Sequence, residues 1–199
     1  KSSKTTVNPV KSSATKKPES AVQSAKEAES PILWFVKNVV RLVLLIFIGW
    51  TAYDIRLHAI REYGLVIHEF DPWFNYRATE YLDQHGLEKF FKWFDYMVWY
   101  PLGRPVGTTI YPGMQMTAVF LKNFLNNQVG YEISLNDVCC YIPAWFGVTA
   151  TMFLALLTWE CSGFNANAAL ISAFIMSIVP AHIMRSVGGG YDNESIAMT

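Results

Sequence analysis

Two short groups of acidic residues carry the side chains that are best suited to chemistry in this 199-residue sequence. The first, residues 68–71, ends with Asp71, and the second, residues 192–194, contains Asp192 and Glu194 after three consecutive glycines. Carboxylates two residues apart can converge on one cation where the backbone is not helical, which glycine permits. Mg²⁺ and Mn²⁺ prefer oxygen ligands and complete their shell with water or substrate phosphate. The spacing therefore favours the hypothesis of a divalent metal site.

Both groups also have ordinary structural explanations. Asp71 precedes Pro72 and is a good helix N-cap, and Asp192 and Glu194 could lie in an exposed loop or begin a helix at a membrane surface. Arg185, taken alone, is most simply explained as an anchor at the end of an apolar run. The spacing by itself leaves these alternatives and the metal site open.

The composition is typical of a membrane protein. Apolar residues make up 52% of the chain and aromatic residues 15%, while 16 basic residues balance 16 acidic ones. Because charge is sparse and no long basic run exists, the sequence excludes a nucleic-acid-binding function. The three cysteines do not form the even, regularly spaced set of a disulfide framework. We expect the lipid bilayer to be a partner of this chain.

The pattern of apolar runs predicts an all-α polytopic membrane protein. We expect a disordered cytosolic tail (residues 1–31), a first transmembrane helix (32–55) and a large first loop with amphipathic helices (56–137). A second (138–159) and a third (166–184) transmembrane helix, a second loop (185–195) and the start of a fourth transmembrane helix (196–199) should follow. The tail has no aromatic residue and is rich in Ser and Lys, which predicts disorder and a cytosolic location.

The number of spans decides whether the two acidic groups share a side of the membrane. Met114 to Leu125 is apolar but short and is interrupted by Lys122, which is typical of an interfacial or buried helix. With three spans, both acidic groups lie on the side opposite the tail. A short amphipathic helix is predicted to begin after Asp71, with Pro72 in its first turn.

Three long motifs then resemble one enzyme family. The run at residues 68–79, His-Glu-Phe-Asp-Pro-Trp-Phe-Asn-Tyr-Arg-Ala-Thr, resembles the first luminal acidic motif of the catalytic subunits of eukaryotic oligosaccharyltransferase. The resemblance continues through Trp-Tyr-Pro-Leu-Gly-Arg at residues 99–104 and Tyr-Pro-Gly at residues 111–113. Residues 185–194, Arg-Ser-Val-Gly-Gly-Gly-Tyr-Asp-Asn-Glu, resemble the second acidic motif, although their glycine content is higher than the pattern of the family.

The resemblance implies a GT-C type glycosyltransferase of the endoplasmic reticulum membrane, with both loops luminal. Such an enzyme transfers a preassembled oligosaccharide from dolichyl diphosphate to the asparagine of Asn-X-Ser/Thr in nascent polypeptides, within a complex of other subunits. It implies that Asp71, Asp192 and Glu194 bind Mn²⁺ or Mg²⁺, that Asp71 also binds the acceptor asparagine, and that Asp71 and Arg185 are catalytic.

Two features of the family's pattern have no counterpart here. The Ser-Val-Ser-Glu loop that completes the acceptor site is absent from these 199 residues, as is the Trp-Trp-Asp-Tyr-Gly motif that recognises the Ser/Thr. We therefore expect residues 1–199 alone to be inactive. The rival hypotheses are another dolichol-dependent GT-C enzyme, such as a mannosyltransferase, and a non-enzymatic membrane scaffold whose acids cap helices.

Overall fold

The computed structural model describes residues 30–199, so nearly all of the predicted tail lies outside the described residues. The described part is helical and has no strand beyond an isolated bridge between Asp95 and Arg104, which confirms the all-α prediction. The helices are α1 (Pro31–Arg56), α2 (His58–Tyr63), α3 (Phe70–Phe91), α4 (Val106–Thr109), α5 (Gly113–Phe124), α6 (Leu135–Cys161), α7 (Ala166–Ile178), α8 (Pro180–Met184) and α9 (Asn193–Ala197).

Two helices, α1 and α6, are long and apolar enough to cross a membrane, judged by length and composition. Their 26 and 27 residues correspond to roughly 39 and 40 Å at 1.5 Å per residue. Residues 41–199 form one compact unit, and the described residues before them, 30–40, belong to a separate one. Within the larger unit, Leu42, Phe47 and Trp50 of α1 are exposed, as expected of side chains that face lipid.

The predicted third span at residues 166–184 is divided into two helices. α7 ends at Ile178, and α8 begins at Pro180 after Val179 takes an extended conformation (φ −65°, ψ 122°). Proline explains the break, because it has no backbone N–H to donate and disfavours a helical conformation in the residue before it. The 13 residues of α7 reach only about 20 Å, so that a third crossing of the membrane remains a prediction.

The segment between the two long helices contains the predicted amphipathic helices. α3 begins at Phe70, slightly before the predicted start, and Pro72 lies in its first turn as expected. α3 bends at Gly86, where the backbone leaves the helical region (φ 78°, ψ 171°). Its apolar face packs on α4 through a small cluster of buried residues: Ala78, Leu82, Phe90, Val106 and Ile110.

The core that positions the acidic motifs lies where this segment meets the N-terminal end of α6. It consists of buried residues from the loop before α3, from α5, from α6 and from the stretch before α9: Ile67, Met114, Ala118, Leu135, Val138, Cys139, Cys140, Ile142 and Tyr191. A second cluster joins α1, α6 and α7 through Ile48, Ala155 and Ala173. Ala173 is small enough to let the first and third apolar segments approach closely.

Candidate functional site

Asp71 lies exposed in the first turn of α3, beside an open cleft of about 880 Å³. Among the described residues, its carboxylate makes no hydrogen bond or ion pair. The N-cap position belongs to Glu69 instead, so the interpretation of Asp71 as a capping residue is wrong. A negative charge in the first turn is favoured by the helix dipole, and the free carboxylate remains available to a ligand.

The cleft beside Asp71 is formed by the start of α3 and by residues 97–104. Trp73 and Trp99 line it with large exposed rings, and Arg104 lies over the Trp99 ring at 5.3 Å from its centroid. Such a cation–π contact holds the guanidinium in a fixed place without neutralising it. The cleft therefore combines aromatic surface with acidic and basic groups.

An ion pair supports the wall of this cleft. Arg77 donates to both carboxylate oxygens of Asp95, at 2.7 and 3.2 Å, and the Met97 amide donates to the same carboxylate at 2.9 Å. Burial acts to raise the pKa of Asp95, but the bonds from Arg77 and from backbone amides outweigh it, so that the pKa is lowered. Asp95 is therefore a buried carboxylate held in its charged form.

The second acidic motif, residues 185–195, is fastened at its glycines by three backbone hydrogen bonds. The Gly188 amide donates to the carbonyl of Arg56 at 2.8 Å, and the Gly189 amide donates to Cys140 at 2.9 Å. The Gly189 carbonyl accepts from the amide of His68 at 3.0 Å, directly before the first acidic motif. These bonds join the motif to the ends of α1 and α6 and to the residues that lead into α3.

Tyr191 anchors the same segment in the core. Its side chain is fully buried, and its hydroxyl lies 2.9 Å from the Thr79 hydroxyl of α3 and 3.4 Å from the carbonyl of Met114. Burial raises the pKa of this phenol well above its usual value. The tyrosine is therefore neutral, and its buried side chain fixes the backbone immediately before Asp192.

Asn75 connects the two acidic motifs directly. It is buried on α3, one turn after Asp71, and its amide donates to the Asp192 carboxylate at 3.2 Å and to the Tyr191 carbonyl at 3.3 Å. Residues four apart lie on the same face of a helix. The structure thus brings Asp192 into contact with a residue one turn after Asp71 on the same helix.

The other acid of the second motif is engaged differently. Glu194 forms an ion pair with Arg185, whose Nε atom lies 3.0 Å from Oε2, and both side chains are about half exposed. Asp192 caps α9, since its Oδ1 atom accepts from the Asn193 amide at 2.7 Å. Both hydrogen bonds to the Asp192 carboxylate use Oδ1, which leaves Oδ2 without a partner among the described residues. The helix-start explanation of Asp192 therefore holds alongside its place beside Asn75.

The three carboxylates suit a hard divalent cation by their chemistry, but they are not assembled around a common point. Within residues 30–199, no group of three His, Cys, Asp or Glu side chains lies close enough together to hold a metal ion. Asp71 and Asp192 each have a free oxygen, and in Glu194 the Oε2 atom is paired with Arg185 while Oε1 has no partner among the described residues. The pair is exposed and is worth about 1 kcal/mol or less, so it competes only weakly with an ion for Glu194.

Three of the residues that arrange this site were not predicted from the sequence. Asn75 was visible as a polar residue one turn after Asp71, on the helix face that becomes buried. Nothing in the sequence indicated that Tyr191 is buried, because an aromatic residue in a glycine-rich loop is expected to be exposed. Arg56 reads as the charge that ends an apolar run, whereas the structure buries it completely.

Comparisons with known proteins agree with the motifs. Residues 39–199 match the family model described as oligosaccharyl transferase STT3, N-terminal. The chain is 42% identical over 176 residues to the dolichyl-diphosphooligosaccharide–protein glycosyltransferase subunit STT3 of Saccharomyces cerevisiae, covering 85% of this chain and 23% of that protein. It is 43% identical to subunit STT3A of Oryza sativa subsp. japonica over 154 residues, which are 77% of this chain and 19% of that protein.

A third relative, subunit stt-3 of Caenorhabditis elegans, is 43% identical over 162 residues, which cover 81% of this chain and 20% of that protein. The chain thus spans about a fifth of the length of the curated relatives it matches. The match includes both acidic motifs and everything between them. The chain belongs to the STT3 family of oligosaccharyl transferases.

Proposed function

We propose that the polypeptide to which this chain belongs transfers a preassembled oligosaccharide from dolichyl diphosphate to the side-chain amide of asparagine in Asn-X-Ser/Thr. The observation that carries the proposal is the hydrogen bond from Asn75, one turn after Asp71 on α3, to Asp192 of the second acidic motif. The relatives are named as dolichyl-diphosphooligosaccharide–protein glycosyltransferase subunits. A transferase must bring its donor and its acceptor together at one charged site, and the cleft beside Asp71 offers space for them.

Asp71 is proposed to bind the acceptor. The nitrogen of a carboxamide is a poor nucleophile, because its lone pair is delocalised into the carbonyl group. A carboxylate that accepts a hydrogen bond from the amide N–H orients the nitrogen and favours the form in which the lone pair is available. Asp71 suits this role because it is exposed at the cleft, and no protein group among the described residues occupies it.

The remaining charged groups are proposed to act on the donor. Asp71, Asp192 and Glu194 would hold Mn²⁺ or Mg²⁺, which supplies positive charge to stabilise a diphosphate leaving group. The Arg185 guanidinium is half exposed, so it could bind phosphate oxygens once Glu194 is engaged elsewhere. This exchange would couple the arrival of the donor to the assembly of the site.

The location follows from the same proposal. We infer a multi-pass protein of the endoplasmic reticulum membrane, with a cytosolic N-terminus, luminal acidic motifs and other subunits as partners. Native Cys161 is exposed at the end of α6, and Tyr111 is exposed in the segment before α5. A membrane-impermeant thiol reagent should label Cys161 from the cytosolic side and a Tyr111→Cys substitution from the luminal side. Labelling of both from one side would contradict the three-span topology.

The role of the acids is tested in the full-length enzyme by alanine substitution. Asp192→Ala and Glu194→Ala should each reduce turnover by about 100-fold or more, and the double substitution should cost far less than the product of the two. Asp71→Ala should be the most damaging, since Asp71 also binds the acceptor. Glu88→Ala, an exposed acid of α3 paired only with Lys92, is the matched control. Small, multiplicative losses and turnover that is insensitive to divalent ions would favour the scaffold hypothesis.

A further inference from the structure

Arg56, the last residue of α1, is completely buried, and among the described residues none of its hydrogen-bond partners is a carboxylate. Its guanidinium donates to the Ser186 hydroxyl at 2.8 Å and to the carbonyls of Ala52 and Ser177 at 2.7 and 3.3 Å. It also lies 2.7 Å from Nδ1 of His182. A buried cation is costly unless its N–H groups are satisfied. Arg56 meets this condition with neutral acceptors on three separate segments of the chain.

The contact with His182 defines the state of that histidine. Arginine has no acceptor atom, so Nδ1 of His182 must accept the hydrogen bond and its proton must be on Nε2. His182 is therefore neutral in this arrangement. The Nε2 atom of His182 is buried and has no hydrogen-bond partner among the described residues. The hydrogen bond from Arg56 to Nδ1 therefore holds the ring in its orientation.

The same arginine is directly connected to the second acidic motif. Ser186 follows Arg185, and its hydroxyl both accepts from Arg56 and donates to the carbonyl of His182 at 2.6 Å. The Arg56 carbonyl accepts from the amide of Gly188 at 2.8 Å. The side chain and the backbone of Arg56 thus hold two points of the segment that leads to Asp192.

The site is shaped for this arginine. Gly147 of α6 faces the guanidinium so closely that a Cβ atom there would lie 2.2 Å from Nε of Arg56. At Gly188 a Cβ atom would lie 2.6 Å from Ile60 and 3.1 Å from the Arg56 carbonyl. Two glycines, one on α6 and one in the acidic motif, therefore leave room for the side chain and the backbone of Arg56.

We propose that Arg56 is a positioning residue for the transfer reaction. Together with His182 and Ser186, it fixes the start of the segment that carries Arg185, Asp192 and Glu194. The catalytic part of this inference rests on the proposed function. The structural part, that loss of Arg56 loosens residues 185–195, rests on the described contacts alone. Because Arg56 is completely buried, it acts through the segment it holds, so its loss should change the rate of the chemical step more than substrate binding.

The experiment uses the full-length enzyme in its native complex with Arg56→Lys and Arg56→Met. Both variants should increase amide hydrogen exchange in residues 185–195, and kcat should fall by about 10- to 100-fold, as expected when reacting groups are misplaced by about 1 Å. The KM values for acceptor peptide and lipid-linked oligosaccharide should stay within about twofold. Lysine should rescue only part of the loss, because it has no planar fork to reach several acceptors at once.

A second pair of variants keeps the test decisive if Arg56→Met does not fold. His182→Asn offers a side-chain oxygen near the position of Nδ1, whereas His182→Leu offers no acceptor. The asparagine variant should retain most of the turnover and the exchange protection that the leucine variant loses. Equal behaviour of the two variants would overturn the role of the Arg56–His182 contact.

Val106→Ala is the control for general destabilisation, since Val106 is fully buried in the cluster between α3 and α4. It should lower the unfolding temperature without a selective rise of exchange in residues 185–195. Unchanged exchange and unchanged kcat in well-folded Arg56 variants would refute the inference. If the unsubstituted enzyme transfers no oligosaccharide, the proposed function fails, and the exchange measurement still decides whether Arg56 positions the segment.

Discussion

Replacing Gly189 by alanine probes the point where the two acidic motifs touch. Gly189 has a positive φ of 88°, and a Cβ atom added there would lie 2.5 Å from the Val66 carbonyl oxygen and 2.6 Å from Cδ2 of His68. The backbone strain of a non-glycine residue in this region is about 1–3 kcal/mol, and forcing atoms into a packed site costs about 1–3 kcal/mol more. We therefore expect a loss of stability of about 2–6 kcal/mol, with separation of His68 from Gly189.

Gly64→Ala is the matched control for this substitution. Gly64 has a similar positive φ of 81°, but a Cβ atom there would meet nothing within 4 Å. It therefore carries the backbone strain without the steric contact. The difference between the two variants isolates the contact between the motifs, and it should be about 1–3 kcal/mol.

The assay combines the unfolding of the full-length enzyme in detergent with its rate of oligosaccharide transfer. Gly189→Ala should lower both the stability and the turnover, because the shift moves Asp192 relative to Asp71. Gly64→Ala should lower stability less and leave turnover nearly unchanged. Equal losses in the two variants would show that the contact at Gly189 does not hold the motifs together.

Three further substitutions test the support of the site. Arg77→Ala should destabilise the protein by about 3 kcal/mol, because it leaves the Asp95 carboxylate buried without its main partner, whereas Asp95→Asn should cost less, since the exposed half of Arg77 remains solvated. Because the pKa of Asp95 is lowered in the folded protein, its contribution to stability is present above the pKa it has in the unfolded chain and is lost as the pH falls through the lowered folded value. Unfolding temperatures measured from neutral to acidic pH should show this loss of stability, and Asp95→Asn should remove the pH dependence. Asn75→Ala should cost about 1–3 kcal/mol, because Gln115 is left buried with an unpaired amide, and turnover should fall further than in Arg77→Ala if Asn75 positions Asp192.

Local sequence patterns were sufficient to predict the two long helices and the start of α3. The long apolar runs predicted α1 and α6, because the length of a membrane-crossing helix is set by the thickness of the bilayer. The position of Pro72 predicted the start of α3 to within a few residues, since proline is tolerated in the first turn of a helix. The break before Pro180 was also present in the sequence as a proline, although the apolar run obscured it.

The partners of the charged residues depended on the tertiary structure. Arg56 could equally have ended α1 at the membrane surface, but its side chain is buried against Gly147, 91 residues further along the chain, which leaves space for it. Asn75 and Asp192 are likewise separated by 117 residues. Spacing along a chain determines which side chains share a helix face, but not which faces of distant helices meet. Packing decides that, because a buried charge or amide is tolerated only where the surrounding segments supply its hydrogen bonds.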